Sequence, residues 1–292
     1  MPEMPEVQGL VDFLAGRATG RRISVARLGS IQALKTYDPP LEDLLGATVR
    51  GARRHGKWLD LVTDPMSGDG AAHLVFHLAR AGWLRWYEEL PKTQLRPGRS
   101  PIALRVGFDD GSGFDLTEAG TKKRLAVHLV RDPDAVPMVA TLGPDPLDPA
   151  FTVEALASIL AGRRTRLKGV LRDQSVLAGI GNAYSDEILH AARMSPYLLA
   201  SALTDDDVGV LHEAIVAVLQ RAVQAAAGRP AAELKDAKRA GMAVHGRAGE
   251  PCPVCGDTVA QVSFADSALQ YCPSCQTGGK LLADRRMSRL LR

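Results

Sequence analysis

Met1-Pro2-Glu3-Met4-Pro5-Glu6-Val7 opens the chain and supports two readings. As structure, it starts a helix over residues 5–16. Pro5 suits a first turn, Glu6 favours the positive end of the helix dipole, and Val7, Leu10, Val11 and Leu14 recur at i, i+3, i+4 and i+7. As chemistry, removal of the initiator Met, which a small second residue permits, leaves a free proline beside the Glu3 carboxylate. An α-amino group titrates at roughly 7.7–8, so a neutral fraction exists near pH 7. The positive end of the following helix is expected to disfavour the protonated amine, which would depress its pKa and help a nucleophile. A neutral secondary amine attacks an electrophilic sugar carbon, and the resulting iminium is an electron sink. Glu3 is then placed to give the proton that opens the sugar ring. These seven residues alone favour the helix start, and the rest of the chain decides whether the chemistry is added to it.

The chain has 292 residues, enough for two or three domains with a sizeable core. Its 46% hydrophobic and 24% charged residues are those of a soluble globular protein. No apolar run approaches the roughly 20 residues of a membrane span, and the N-terminus lacks a basic-then-apolar leader, so a cytoplasmic location is expected. A net charge of +3 does not by itself imply a nucleic-acid partner. The distribution of cations says more. They gather at Arg53, Arg54 and Lys57, at Lys122-Lys123-Arg124, at Arg163, Arg164, Arg166 and Lys168, and in a tail with Lys280, Arg285, Arg286, Arg289 and Arg292. Four such clusters suit phosphate contact as well as solvated faces.

From about 22 to 133 the chain reads as β-rich, with candidate strands Arg22–Leu28, Trp58–Thr63, Leu74–Leu78, Trp83–Tyr87 and Ile102–Phe108. Turn signals at Asp64–Gly70 and Asp109–Gly113 separate them, and short strands at this spacing predict a two-layer sandwich. Residues 141–150 contain Pro144, Pro146 and Pro149 and read as a linker. Beyond it the pattern turns helical. Val153, Leu156, Ile159 and Leu160 mark one helix. Thr204 with Asp207 forms an N-cap signature before Val208, Leu211, Ile215, Val218 and Leu219. Between these, Leu177-Ala-Gly-Ile-Gly-Asn-Ala-Tyr184 reads as a tight turn through Gly179 and Gly181, with Asn182 starting a helix that packs Ile188 inward.

All four cysteines fall near the C-terminus, as Cys252-Pro-Val-Cys255 and Cys272-Pro-Ser-Cys275. Each C-x2-C knuckle can present two thiolates to one tetrahedral zinc ion, and Asp257–Tyr271 between them can form a β-hairpin. A reducing compartment argues against disulfides. Four thiolates leave no open coordination position, so the zinc is expected to be structural and the hairpin to meet the partner.

Together these residues resemble the formamidopyrimidine-DNA glycosylase/endonuclease VIII family. The opening heptapeptide, Arg54-His55-Gly56-Lys57-Trp58-Leu59, Leu142-Gly-Pro-Asp-Pro-Leu147, Asp173-Gln174, Gly179-Ile-Gly-Asn182 with Glu187, and Val244-His-Gly-Arg-Ala-Gly-Glu-Pro-Cys252 match its motifs in order along nearly the whole chain. The resemblance implies an α+β multidomain protein: a catalytic β-sandwich with an N-terminal helix over 1–133, a linker over 134–150, a helix–two-turn–helix domain over 151–245, a zinc finger over 246–276 and a basic tail over 277–292. It also implies a monomer acting on double-stranded DNA that carries a damaged base or abasic site, away from any membrane. The damaged nucleotide is flipped out. Pro2 attacks C1′, Glu3 protonates the sugar oxygen, and Lys57 contacts a phosphate near the lesion and assists elimination. Lys168, Asn182 and Arg247 contact DNA, the Asn182 N–H at a helix start being suited to phosphate.

The chain departs from that family in four places. Arg80, in His77-Leu-Ala-Arg-Ala-Gly82, stands where the family commonly carries a methionine wedge for the vacated stack. Apolar wedges suit stacked bases, whereas a guanidinium stacks by its plane or binds phosphate. The loop Glu118-Ala-Gly-Thr-Lys-Lys-Arg124 lacks the aromatic of the usual Arg-Arg-Phe group. Ser267 takes the place of a phosphate-binding arginine associated with the second elimination, so β-elimination is expected to exceed δ-elimination. Residues 228–247 are too short for an extended base-capping loop, although Lys235, Lys238 and Arg239 keep the segment basic. Two alternatives follow: a glycosylase/lyase for a lesion outside the oxidised purines, and a non-catalytic damaged-DNA-binding protein on the same scaffold. An RNA-binding zinc protein is disfavoured, because no aromatic stacking platform is visible.

Overall fold

The computed structural model describes residues 1–65, 71–95, 100–120, 122–264 and 267–283. It divides into two compact units: Met1–Thr141 with Ala226–Lys235, and Leu142–Ala225 with Asp236–Arg292. The expected turn residues 66–70 and the tail beyond 283 lie outside the described residues.

In the first unit, α1 (Met4–Ala18) precedes β1 (Ile23–Leu28), β2 (Val49–His55), β3 (Trp58–Pro65), β4 (Ala71–His77), β5 (Gly82–Tyr87), β6 (Ile102–Phe108), β7 (Gly113–Glu118) and β8 (Ala126–Val130). They form two four-stranded antiparallel sheets, ordered β1-β6-β7-β5 and β2-β3-β4-β8, the two layers that the spacing predicts. Alternation selects the core: Leu59, Leu61, Leu74 and Phe76 from one sheet and Leu104, Val106, Phe114 and Leu116 from the other are buried together with Val7, Leu10 and Leu14 of α1. β2, β7 and β8 were not among the expected strands. β2 reads Val-Arg-Gly-Ala-Arg-Arg-His, too polar for an apolar alternation to show. The opposite face of β3 is also covered, with Trp58, Asp60 and Val62 all buried.

Ala226, Ala231 and Leu234 join this same core, and the Trp83 indole N–H donates to the Ala231 carbonyl at 3.1 Å. Gly9 makes room for them, since a Cβ there would stand 3.0 Å from Leu234 and 3.2 Å from Ala226. A piece of the region read as helical domain thus completes the sandwich.

The second unit starts with the connector, which is docked and not loose. The Gly143 N–H donates to Gln174 O at 2.8 Å and the Ala178 N–H to Pro144 O at 3.0 Å, and a Cβ on Gly143 would meet the Val176 backbone at 2.5 Å. Just before it, Pro137–Ala140 forms a single helical turn, α2. There follow α3 (Val153–Leu160), α4 (Leu167–Arg172), α5 (Asn182–Ala191), α6 (Asp205–Ala226), α7 (Leu234–Ala240), β9 (Ala260–Ser263), β10 (Ala268–Tyr271) and α8 (Pro273–Thr277). The expected cap of α6 is reciprocal: the Thr204 N–H donates to Asp207 Oδ2 at 3.0 Å and the Asp207 N–H to Thr204 Oγ1 at 3.2 Å. By length and composition α6 is apolar enough to cross a bilayer. Its Leu211, Ile215 and Leu219 are instead buried against protein.

The turn that carries Arg80 depends on Gly82. Its N–H donates to Leu78 O at 2.9 Å, and a Cβ would stand 2.1 Å from that oxygen. Gly82→Ala is expected to lower stability by about 1–3 kcal/mol through overpacking. Gly16→Ala, in open space on α1, is expected to raise it by about 0.5–1 kcal/mol. Denaturant titration of the two variants checks both signs.

Candidate functional site

At the N-terminus the expected helix forms, with Glu3 as its extended N-cap. The Glu3 N–H donates to Glu6 Oε2 at 2.8 Å, which satisfies a donor at the helix start. Pro2 therefore immediately precedes the positive end of a 15-residue helix, and both Pro2 and Glu3 are buried.

Lys57 belongs to the same unit. It sits in the two-residue turn between β2 and β3, after the His55–Trp58 pair closes the ladder, with Gly56 supplying a φ of 55° at the first central position. Arg54 ties this turn to α1: its Nε donates to Gln8 Oε1 at 2.8 Å and an Nη to Gly56 O at 3.3 Å. Lys57 is only 7% exposed. Beside it, burial and the Lys57 charge push His77 down to about 4. The neutral imidazole accepts the Ala79 N–H on Nδ1 at 3.1 Å, which holds Ala79 at the left-handed φ of 52° just before Arg80. Arg80 itself is exposed.

In the second unit, Gln174 builds the glycine turn. Its amide donates to the carbonyls of Arg172 and Ile180, each at 2.8 Å, and its oxygen accepts the Gly179 N–H at 3.0 Å. Gly179, at φ 87°, and Gly181 then deliver Asn182 as the first residue of α5, whose N–H has no acceptor in its own helix. The Asn182 side chain turns the other way and donates to Ala268 O in the zinc hairpin at 2.7 Å. Lys168 does not face outward. It is 5% exposed, and its ammonium donates to Asp186 Oδ1 at 2.6 Å, Ser185 Oγ at 2.8 Å and Asn182 O at 3.1 Å. Asp186 also meets His245 Nδ1 at 2.7 Å. Glu187 accepts the backbone N–H groups of Ala243, Val244 and His245 at 2.7, 3.0 and 2.8 Å. Arg247 is partly exposed and pairs with Glu250 at 2.7 Å.

The four cysteine sulfurs lie within 4.8 Å of one another, the one group of metal-ligand type found among the described residues. Cys252 and Cys275 are 3.9 Å apart and Cys255 and Cys272 3.3 Å. Thiolates on one tetrahedral zinc stand about 3.8 Å apart, so the donor set fits that ion. Cys252 also lies 3.3 Å from His190 Nε2, a partner from α5 that orients the ligand. Sequence reasoning missed His190, because 62 residues separate it from its sulfur. The hairpin pairs β9 with β10 as expected, and the Phe264 N–H donates to Ser267 O at 2.8 Å near its tip.

The loop after β7 is also anchored. Glu118 is buried, and its carboxylate accepts the Arg124 N–H at 2.8 Å and the Leu125 N–H at 3.1 Å, while Lys123 Nζ donates to the Glu118 carbonyl. Lys122, Lys123 and Arg124 are exposed on it, and Thr121 lies outside the described residues.

Comparison with known proteins agrees with this anatomy. Residues 1–124 match the formamidopyrimidine-DNA glycosylase N-terminal domain, 142–232 the formamidopyrimidine-DNA glycosylase H2TH domain, and 249–278 the zinc finger found in FPG and IleRS. The formamidopyrimidine-DNA glycosylase of Symbiobacterium thermophilum is 36% identical over 299 residues, covering 98% of this chain and 93% of that protein. An uncharacterized formamidopyrimidine-DNA glycosylase-like protein of Mycobacterium tuberculosis is 58% identical over 156 residues, 53% of this chain and 98% of that protein. Among solved structures, MutM in complex with carbocyclic 8-oxo-G containing DNA aligns with a TM-score of 0.80 at 25% identity, over 94% of this chain and all of the other. A Lactococcus lactis FPG mutant bound to Fapy-dG containing DNA aligns equally well at 26% identity, with the same coverage. The chain belongs to the formamidopyrimidine-DNA glycosylase family and is a zinc-finger DNA repair glycosylase.

Two measurements follow. Metal analysis is expected to find one zinc per chain, and Cys272→Ser to lower both zinc content and DNA affinity, because Asn182 is bonded to the hairpin. The second concerns His77. Its folded pKa of about 4 lies below its ordinary 6.5, so the unfolded chain binds this proton first. The associated stability is complete above pH 6.5 and lost as pH falls towards 4. The thermal midpoint should drop across that window, and His77→Asn should flatten the drop; an unchanged slope in the variant contradicts the assignment.

Proposed function

We propose that this glycosylase excises a damaged base from double-stranded DNA with Pro2 as nucleophile and then nicks the abasic site by β-elimination. Once Met1 is removed, the Pro2 nitrogen forms a bond to C1′ as the bond from C1′ to the base breaks. The base leaves with the bonding pair and takes up a proton, and the nitrogen loses its own. Glu3 gives a proton to the sugar oxygen, and the ring opens to an iminium. Loss of a C2′ proton then expels the 3′ phosphate. The observation that carries this reading is the position of Pro2, directly before the Glu3 cap at the positive pole of α1, where a protonated amine is disfavoured. Lys57 binds a phosphate beside the lesion. The Asn182 N–H at the start of α5 binds another, and Arg247 adds a further contact. The bonds from Lys168 to Asp186, Ser185 and Asn182 O support a role in holding Asn182 in place over one as a direct phosphate ligand. The reading describes a cytoplasmic monomer working on chromosomal DNA.

Solved relatives are bound to abasic-site DNA or to 8-oxo-G and Fapy-dG DNA. For this chain a lesion outside the oxidised purines is the second reading. The exposed Arg80 and the cationic, non-aromatic 122–124 loop favour it, since both suit phosphate or guanidinium stacking better than apolar insertion.

Incubation with abasic-site DNA and borohydride tests the chemistry. A covalent adduct is expected from the unmutated protein and its loss from Pro2→Gly. No adduct from the unmutated protein makes the non-catalytic, damage-binding reading the correct one. On denaturing gels the β-elimination product should dominate, and a dominant 3′-phosphate end overturns that part. A panel of lesion duplexes then separates the two glycosylase readings.

A further inference from the structure

Four of the chain's seven histidines, His55, His73, His77 and His128, lie on one face of the β2-β3-β4-β8 sheet. Cross-strand pairing puts His55 and His77 opposite Trp58, Val62 opposite His73, and both Asp60 and His128 opposite Val75. In their midst Asp60 is 0% exposed. Its Oδ2 meets His55 Nε2 at 3.1 Å, and both its oxygens meet His73 Nδ1 at 3.0 Å. Burial alone would push the Asp60 carboxyl up, but hydrogen bonds and charge from the two imidazoles hold it below its usual range. The carboxylate is therefore an ionised acceptor shared by two rings. Among the described residues only the cysteines have metal-binding geometry, so the cluster is a hydrogen-bonded clamp.

A buried carboxylate between Trp58 and Val62 is costly, and a well-packed apolar residue there would serve stability as well or better. The clamp accomplishes something an apolar residue cannot. His73 lies within β4, in the body of the sheet, whereas His55 is the last residue of β2, immediately before Gly56 and Lys57. Asp60 thus ties the free end of the β2–β3 hairpin to the neighbouring strand. Arg54 holds the same turn from the opposite face, through Gln8 of α1 and the Gly56 carbonyl. The turn is fixed on both faces, and with it the placement of Lys57 relative to the helix that follows Pro2-Glu3.

We propose that Asp60 is a positioning residue for Lys57, acting through His55 to set where the ammonium meets the phosphate beside the lesion. This rests on the phosphate role of Lys57 given above. The test is single-turnover nicking of preformed abasic-site DNA at saturating protein, with borohydride trapping measured in parallel. Asp60→Leu should slow nicking roughly 10- to 100-fold, the scale of an ångström's misplacement, while trapping by Pro2 persists. Asp60→Asn, whose amide oxygen still accepts from one imidazole, should recover part of the rate. In the Lys57→Ala background, Asp60→Leu should cost nothing more, because the two residues act as one unit. If Asp60→Leu fails to fold, His55→Phe, at a site with 27% of its side chain exposed, removes the same clamp and should show the same pattern. Unchanged nicking in these variants, or an equal loss with and without Lys57, overturns the proposal. Normal nicking by Lys57→Ala instead refutes the role of Lys57, and no nicking by the unmutated protein refutes the parent reading.

Discussion

Helix α5 buries its own charges, and the second unit is organised around satisfying them. Ser185, Asp186, Glu187 and His190 are all buried on a ten-residue helix, so their polar atoms must find partners within the protein. Separate segments supply them: Lys168 from α4 for Asp186 and Ser185, three backbone N–H groups of 243–245 for Glu187, the His245 ring for Asp186, and the Cys252 sulfur for His190. Stripping a partner from a buried charge costs about 3–5 kcal/mol, which makes the arrangement all-or-none. The glycine turn, the approach to the finger and the finger itself are therefore held in one register by one helix.

The first unit uses the same device at the roots of its loops. Glu118 closes the basic loop after β7 through its backbone N–H groups, and Asp60 fixes the end of the β2–β3 hairpin. Arg105 grips Asp115 with two nitrogens and sends a third to the Pro91 and Thr93 carbonyls, pinning a strap across the sheet. Glu118 and Arg105 hold backbone directly, and Asp60 acts through the rings of His55 and His73, in ways a hydrophobic side chain could not. The exposed Lys122 and Arg124 are thus presented from a rigid base.

Much of this was legible in the sequence because it is local. The helix start at Pro5, the cap at Thr204 and Asp207, the glycine turn before Asn182 and the cysteine spacing are all set by neighbours a few residues apart. What escaped depends on distance. β2 is recognisable only once β3 pairs with it, since its own residues are mostly polar. Residues 226–235 follow a helix and look like part of its domain, yet their apolar side chains complete the sandwich core. Lys168 reads as a surface cation until Asp186, eighteen residues on, takes its ammonium inside. His190 and Asp60 gain meaning only from partners on other elements.

The zinc hairpin divides its labour in a way that bears on how such proteins diverge. Its fold is carried by the cysteine knuckles, by the four paired positions of β9 and β10, and by Gln276, which caps the Cys272 N–H and reaches the Met194 carbonyl. The tip contributes a single described backbone bond, from Phe264 to Ser267. That bond is between backbone groups, so a change of side chain at Phe264 or Ser267 asks little of the metal, the ladder or α5. Phe264 and Ser267 are therefore positions where substitution stays far from a stability threshold, so a lineage can vary what the finger presents without first loosening the scaffold.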